Sequence, residues 1–438
     1  MGRITLAGVS KIFGANHAEA IALISEGKRK ADIARTCGAV VGLCDISFDV
    51  VEGEILVLMG LSGSGKSTLL RCMNRLVEPT CGRILVDDVD VTRLGRKDLL
   101  AFRQKTFGMV FQHFALLPNR TILSNVAFGL EIKRLPPQQR NDRAMEAIAL
   151  VGLKGWEHKY PHELSGGMQQ RAGLARALAA DADILLMDEA FSALDPLIRR
   201  DMQAELKDLQ RTLRKTIVFV SHDLDEAVAL GGRIVLMKDG EVVQIGQPEE
   251  IVARPATDYV ERFVEHIDLS AVMRTEHVAN RAAVVLAPTL TVADARATVA
   301  ADDAESWCVA DPEDRFVGRV RRDRLAAARA GETVSGLLDR DPVTVPAGTC
   351  LDAVMSRVAD EGTVAVVAED GRLIGTLTSR DIVRALAARP GTHGRPTLSA
   401  APLQKPTGAE GWTGTSRNFP STRSATTGSI GSPTMALG

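Results

Sequence analysis

The densest chemistry in this chain lies in one short run. Gly60 to Ser67 read G-L-S-G-S-G-K-S, and Thr68 follows. Gly60, Gly63 and Gly65 let backbone N–H groups turn inward around phosphate oxygens, with Leu61, Ser62 and Ser64 completing the loop. Lys66 would reach the β- and γ-phosphates, and Ser67 would ligate Mg²⁺. A second run, I-L-L-M-D-E, ends an apolar stretch in two carboxylates at Asp188 and Glu189. Asp188 would hold Mg²⁺ through water, and Glu189 would polarise a water attacking the γ-phosphate. A third run, L-S-G-G-M-Q-Q-R from Leu164 to Arg171, reads as a second anion cradle at a helix start. Binding one phosphate chain within one subunit does not require it. Its plain alternative is an ordinary Gly-rich helix entry.

The surrounding elements must place these groups. Residues 1–13 read as a strand, and residues 18–36 as an Ala-rich helical stretch interrupted by Gly27. ISFDVVEGEILVLMG gives an alternating strand and then a continuously apolar one, as expected of a strand buried on both faces. The glycine loop and an apolar-periodic helix (STLLRCMNRL) follow it. ADILLMDEA, IVFVSHD and RIVLMKDGEVV read as three further strands, and residues 135–180 as mostly helical. Alternating strands and helices predict an α/β domain with a largely parallel sheet, closing near residue 265.

The three motifs in this order resemble ABC-type ATPases of the P-loop NTPase class. The first two match the Walker A and Walker B patterns. Ser165, Gly166 and Gly167 match the signature that binds the ATP held by the other subunit. The resemblance implies further roles. Gln112 in VFQHF looks like the glutamine that senses Mg²⁺ and the lytic water. Ser192 to Asp195 looks like the loop that crosses the dimer, and His222 in FVSHD like the switch histidine at the γ-phosphate. Phe13 resembles the aromatic residue that stacks on adenine.

A helical insert at about 15–40, MGLSGSGKST, RLVEPTCGRI and LLMDEAFSALDPLIR narrow the resemblance. So does a repeat that follows the ATPase. Together they resemble the ATP-binding subunit of glycine betaine/proline betaine/choline importers. That family implies a homodimer, an integral membrane permease, an external substrate-binding protein reached through it, and a peripheral place on the cytoplasmic face of the plasma (inner) membrane. The alternatives are an importer of another small polar solute, or a soluble ABC ATPase without a permease. The apolar run at 112–130 reads as a helical-subdomain core or as a docking groove for a permease helix.

Residues 283–388 hold two copies of a strand–helix–strand–turn–strand–helix pattern, with Gly318 and Gly375 in register. The copies resemble tandem CBS (cystathionine-β-synthase-type) modules. That resemblance makes Thr378 and Asp381 candidates for an adenine nucleotide's ribose, with a helix N-cap as the plain alternative. Arg319, Arg321, Arg322 and Arg324 cluster in the first copy. They read as a solvated basic turn, or as a patch that meets anionic lipid and releases it as salt rises.

The expected organisation is an ABC ATPase at 1–268, a CBS pair at 269–390 and a disordered tail at 391–438 rich in Gly, Ser, Thr and Pro. Composition agrees with folded domains: 45% hydrophobic, 25% charged, net charge −2 over 438 residues. That balance predicts no nucleic-acid partner. No stretch approaches the roughly 20 apolar residues a membrane span needs. Six scattered cysteines without a C-x-x-C pair predict free thiols and no structural zinc.

Overall fold

The computed structural model describes residues 3–28, 30–112, 114–265, 267–281, 283–339 and 341–387. The tail expected to be disordered, at 391–438, lies outside the described residues. The strands are β1 (Ile4–Phe13), β2 (Val40–Val50), β3 (Ile55–Met59), β4 (Cys81–Val86), β5 (Val89–Asp90), β6 (Phe107–Phe111), β7 (Ile184–Asp188), β8 (Thr216–Val220), β9 (Arg233–Lys238) and β10 (Glu241–Gly246).

Six strands form one sheet in the order β10-β9-β3-β8-β7-β6, parallel except for β10 at the edge. Every residue of β3, β7 and β8 is buried, which explains their unbroken apolar sequences. Their side chains still alternate. Ile55, Val57 and Met59 enter a core shared with the helical subdomain. Leu56 and Leu58 enter a second core. That second core also takes Ile4, Leu6, Phe48 and Ile84 from an antiparallel sheet of order β2-β1-β4-β5. Burying one such side chain contributes roughly 1.5–3 kcal/mol. The two layers therefore hold the central strands firmly on both sides.

Three local readings are refined. The helical stretch at 18–36 is two helices, His17–Ser25 and Lys30–Cys37, broken where Gly27 takes φ +74°. They pack on β1 and β2 through Ala20, Ile33 and Cys37. RIVLMKDGEVV is not one strand but the β9–β10 hairpin. Asp239 and Gly240 take φ of +49° and +75° at its turn, as an Asp-Gly hairpin turn requires. The apolar run at 112–130 is largely core. Ile122, Val126, Ala127 and Leu130 are buried, while Phe114, Leu116, Leu117 and Phe128 stay half-buried. Asn125, fully buried, stitches this segment together. Its side-chain amide donates to the carbonyls of Leu117, Arg120 and Thr121 at 3.0–3.1 Å.

The repeat forms two three-stranded sheets, β11 (Val285–Leu286), β12 (Ser306–Ala310) and β13 (Phe316–Arg321), then β14 (Thr344–Pro346), β15 (Thr363–Val367) and β16 (Leu373–Thr378). In each, the first pair is parallel and the second antiparallel. Gly318 pairs with Val309, and Gly375 with Val366, the same register in both copies. The copies also pair with each other across equivalent turns: Phe316 N donates to Gly371 O, and Leu373 N to Asp314 O. Packing places the change of core slightly later than residue 268. Val272 belongs to the ATPase core and Met273 to that of the second copy. Arg274 spans the junction, pairing with Glu249 at 2.7 Å and donating to Gly348 O at 2.7 Å.

Candidate functional site

Strand register gathers the chemistry at one edge. Leu58, Val220, Asp188 and Phe111 are successive partners across β3, β8, β7 and β6. The next residues along each strand therefore emerge together at the carboxyl ends of the parallel strands. These are the glycine loop, Ser221 and His222, Glu189, and Gln112. Ligands of open α/β sheets bind at that edge.

The loop itself demands glycine. Gly60 takes φ +141°, and a Cβ there would fall 2.1 Å from the Met237 carbonyl oxygen. Gly63 and Gly65 take φ of +79° and +100°. Ser64 is buried, and its hydroxyl has no partner among the described residues. Leu61, Ser62 and Gly63 are exposed, while Ser67 and Thr68 open the Lys66–Met73 helix half-buried. Lys66 Nζ donates to Gly60 O at 2.8 Å and Leu61 O at 3.1 Å. Burial lowers the Lys66 pKa, and the Glu189 and Asp188 carboxylates oppose that shift.

Ser67 Oγ donates to Asp188 Oδ1 at 2.7 Å. Asp188 is buried at the β7 tip, and its other oxygen takes Arg71 at 3.0 Å. Arg71 was not anticipated from the sequence. Its signal is a spacing of four residues from Ser67, which puts both on one helix face. Glu189 takes φ +46°, a left-handed conformation unusual for a non-glycine residue. Gln112 Nε2 donates to Glu189 Oε2 at 3.3 Å and to Ser192 Oγ at 3.2 Å. His222 Nδ1 lies 3.7 Å from Glu189 Oε2. Lys66, Ser67, Asp188, Glu189, Gln112 and His222 thus form one cluster. Phe13 is 41% exposed at the end of β1. Its ring edge rests on Gly42, whose carbonyl faces Gly65.

The signature is separate from this cluster. Ser165 caps the Gly166–Ala179 helix, its Oγ accepting Met168 N at 3.4 Å. Asp195 caps the Pro196–Leu213 helix through Ile198 N at 3.1 Å. Gly167 packs so tightly on Ile198 that a Cβ would come within 2.6 Å. Two exposed helix N-termini therefore lie side by side. Among the described residues, neither hydrogen-bonds to Gly60–Thr68.

In the second region, Thr378 and Asp381 satisfy each other. Thr378 Oγ1 and Thr378 N donate to Asp381 Oδ2 at 2.6 and 3.0 Å, and Asp381 N donates back to Thr378 Oγ1 at 3.2 Å. This is a reciprocal helix cap. The arginine cluster is partly tied down by partners within the fold. Arg319 is mostly buried against Asp339 and Glu361. Arg324 pairs with Asp339, and Arg322 lies over Trp307 and donates to the Ala304 and Asp302 carbonyls. Arg321, beside Asp323 at 3.5 Å, faces out, and Arg322 and Arg324 also remain exposed.

Among the described residues, no helix is long and apolar enough to cross a membrane, and no group of three or more His, Cys, Asp or Glu is placed to hold a metal. The family profile "ABC transporter" matches residues 43–192, and "CBS domain" matches residues 334–388. The glycine betaine transport ATP-binding protein OpuAA of Bacillus subtilis is 46% identical over 392 residues, 88% of this chain and 92% of that one. The glycine betaine/proline betaine transport system ATP-binding protein ProV of Salmonella typhimurium is 44% identical, over 90% of this chain and 99% of that one. The trimethylamine N-oxide transport system ATP-binding protein TmoW of Ruegeria pomeroyi is 51% identical, over 64% of this chain and 82% of that one.

Proposed function

This chain belongs to the family of ATP-binding subunits of glycine betaine and proline betaine ABC importers, and from that premise we propose that it powers uptake of such methylated amines by hydrolysing ATP against a membrane permease. The reading is carried by the row of groups at the sheet edge, from the glycine loop through His222 and Glu189 to Gln112. Two copies close head to tail. Each nucleotide then lies between the glycine loop of one chain and Ser165-Gly166-Gly167 of the other. The second surface is an exposed N-terminus of a 14-residue helix, suited to phosphate oxygens. Asp195, beside it, lines the same seam, and Phe13 stacks on the adenine.

The site fits Mg²⁺ with its nucleotide. Ser67 Oγ and the Asp188 carboxylate stand together as hard oxygen donors, and Gln112 is within reach of the same cluster. These three residues would hold the ion, which supplies charge neutralisation on the β- and γ-phosphates. The remaining chemistry belongs to side chains. Lys66 and the loop N–H groups bind the phosphates. Glu189 orients the attacking water and takes its proton. His222 and the opposite signature stabilise the transferring phosphoryl group. Closure of the pair turns the permease, and hydrolysis reopens it.

Glu189→Gln should still bind ATP and dimerise, yet lose at least about a hundredfold in turnover. Single-turnover hydrolysis of bound ATP measures this directly. A variant with normal hydrolysis would remove Glu189 from its role. The similarity to a trimethylamine N-oxide relative supports a second substrate reading. Competitive uptake of glycine betaine and trimethylamine N-oxide into vesicles carrying the assembled importer separates the two.

A further inference from the structure

One buried acid lies behind the site and has no part in the chemistry above. Glu226, in the Leu224–Leu230 helix, is 7% exposed. Burial raises its pKa, and hydrogen bonds from Ser221 and Gln203 oppose that shift. Its Oε2 accepts the Ser221 hydroxyl, and its Oε1 accepts Gln203 Nε2 at 3.2 Å. Ser221 is fully buried, and its Oγ in turn accepts Asp223 N at 3.0 Å. Ser221 N also donates to Leu58 O, at the end of β3 just before the glycine loop. On the other side of His222, the Asp223 carboxylate meets Arg199 at 3.4 Å. Arg199 donates to the carbonyls of Leu194 at 3.1 Å and Ser192 at 3.5 Å, in the loop that follows Glu189.

Both neighbours of His222 are therefore anchored, while the imidazole itself is largely exposed and free to meet a ligand. A carboxylate is costly to bury, and an apolar side chain would pack at less cost. What the carboxylate supplies is the closer acceptor for the Ser221 hydroxyl, the Asp223 carbonyl oxygen lying at 3.3 Å, and hence an anchor for the backbone that carries His222.

We propose that Glu226 is a positioning residue for ATP hydrolysis, acting through Ser221 to hold the His222 backbone where its ring reaches the γ-phosphate. Glu226 is buried and acts through its bonded neighbours. The inference rests on the reading of His222 as the γ-phosphate contact, so the test separates the two. In the full-length chain, Glu226→Ala and Ser221→Ala should each lower kcat by about thirtyfold. KM for ATP should stay within about twofold, since ground-state binding is untouched. The double variant should be no slower than either single one, because both break the same link. Glu226→Gln, which still accepts the Ser221 hydroxyl, should recover most of the rate.

An NMR readout without nucleotide reports position independently of turnover. The His222 ring resonance, assigned by its loss in His222→Ala, should shift or broaden in Glu226→Ala and Ser221→Ala. Full kcat in folded Ser221→Ala, or an unmoved His222 resonance in both variants, overturns the proposal. Normal hydrolysis by His222→Ala would instead overturn the role given to His222, while the resonance still reports whether Glu226 positions it.

Discussion

At the scale of the residue, burial decides which groups can react. Cys72 lies on the inner face of the helix after the glycine loop, and burial pushes its thiol up to about 12. Cys308, inside β12, is likewise pushed to about 12 by burial. The thiolate is the nucleophile, so at pH 8 each presents only about one part in ten thousand of its reactive form. Cys81 is exposed. A small maleimide at pH 8 should therefore label Cys81 in the folded chain, with Cys72 and Cys308 labelled only after unfolding. Peptide mass mapping reads this out, and early labelling of Cys72 would contradict its burial. The same shifts set a sign for stability. The folded state holds two protons that the unfolded state releases above the ordinary thiol value of 9. These two groups thus favour folding below pH 9, and that contribution is lost as pH rises toward about 12.

At the scale of the element, the cap at Ser379–Ala387 distinguishes two uses of the same residues. Thr378 and Asp381 spend their hydrogen bonds on each other and on the helix N-terminus. Thr378→Val keeps the shape and removes the hydroxyl, so it should cost about 1 kcal/mol of stability. Thermal unfolding of the full chain measures it. An unchanged Tm together with lost binding of added AMP would favour the ribose reading over the cap. The elements themselves were readable where one force dominated. β3, β7 and β8 are apolar throughout because both faces are covered. The glycine loop shows because three of its positions exclude a side chain or an ordinary φ. The β9–β10 hairpin was hidden for a local reason. Apolar residues continue on both sides of Asp239-Gly240, and only the turn dipeptide marks the break. The left-handed Glu189 and the Glu226–Ser221 link left no sequence pattern. One is a backbone conformation imposed by the fold, and the other joins residues five apart across a strand end and a helix.

At the scale of the whole molecule, part of the charge that looks free in sequence is committed in three dimensions. The cluster from Arg319 to Arg324 suggested a face for anionic lipid. Only the fold shows that Arg319 and Arg324 take carboxylate partners from distant segments, while Arg321 and Arg322 stay exposed. Arg319 binds Asp339 at 3.3 Å, Glu361 at 2.9 Å and the Thr363 carbonyl at 3.1 Å, so it ties the first repeat copy to the second. Its side chain is 11% exposed and that of Asp339 is 14% exposed, so solvent screens the pair little. Among the described residues, removing the arginine leaves Asp339 paired with Arg324 at 3.3 Å. Arg319→Ala should therefore destabilise the module by about 2 kcal/mol, through a nearly buried carboxylate losing its main partner. Differential scanning calorimetry of the full chain should show the loss. The salt dependence of transport in anionic vesicles should keep its wild-type midpoint in variants that remain folded. A flattened salt response with an unchanged unfolding temperature would instead return the arginine to a lipid-facing role.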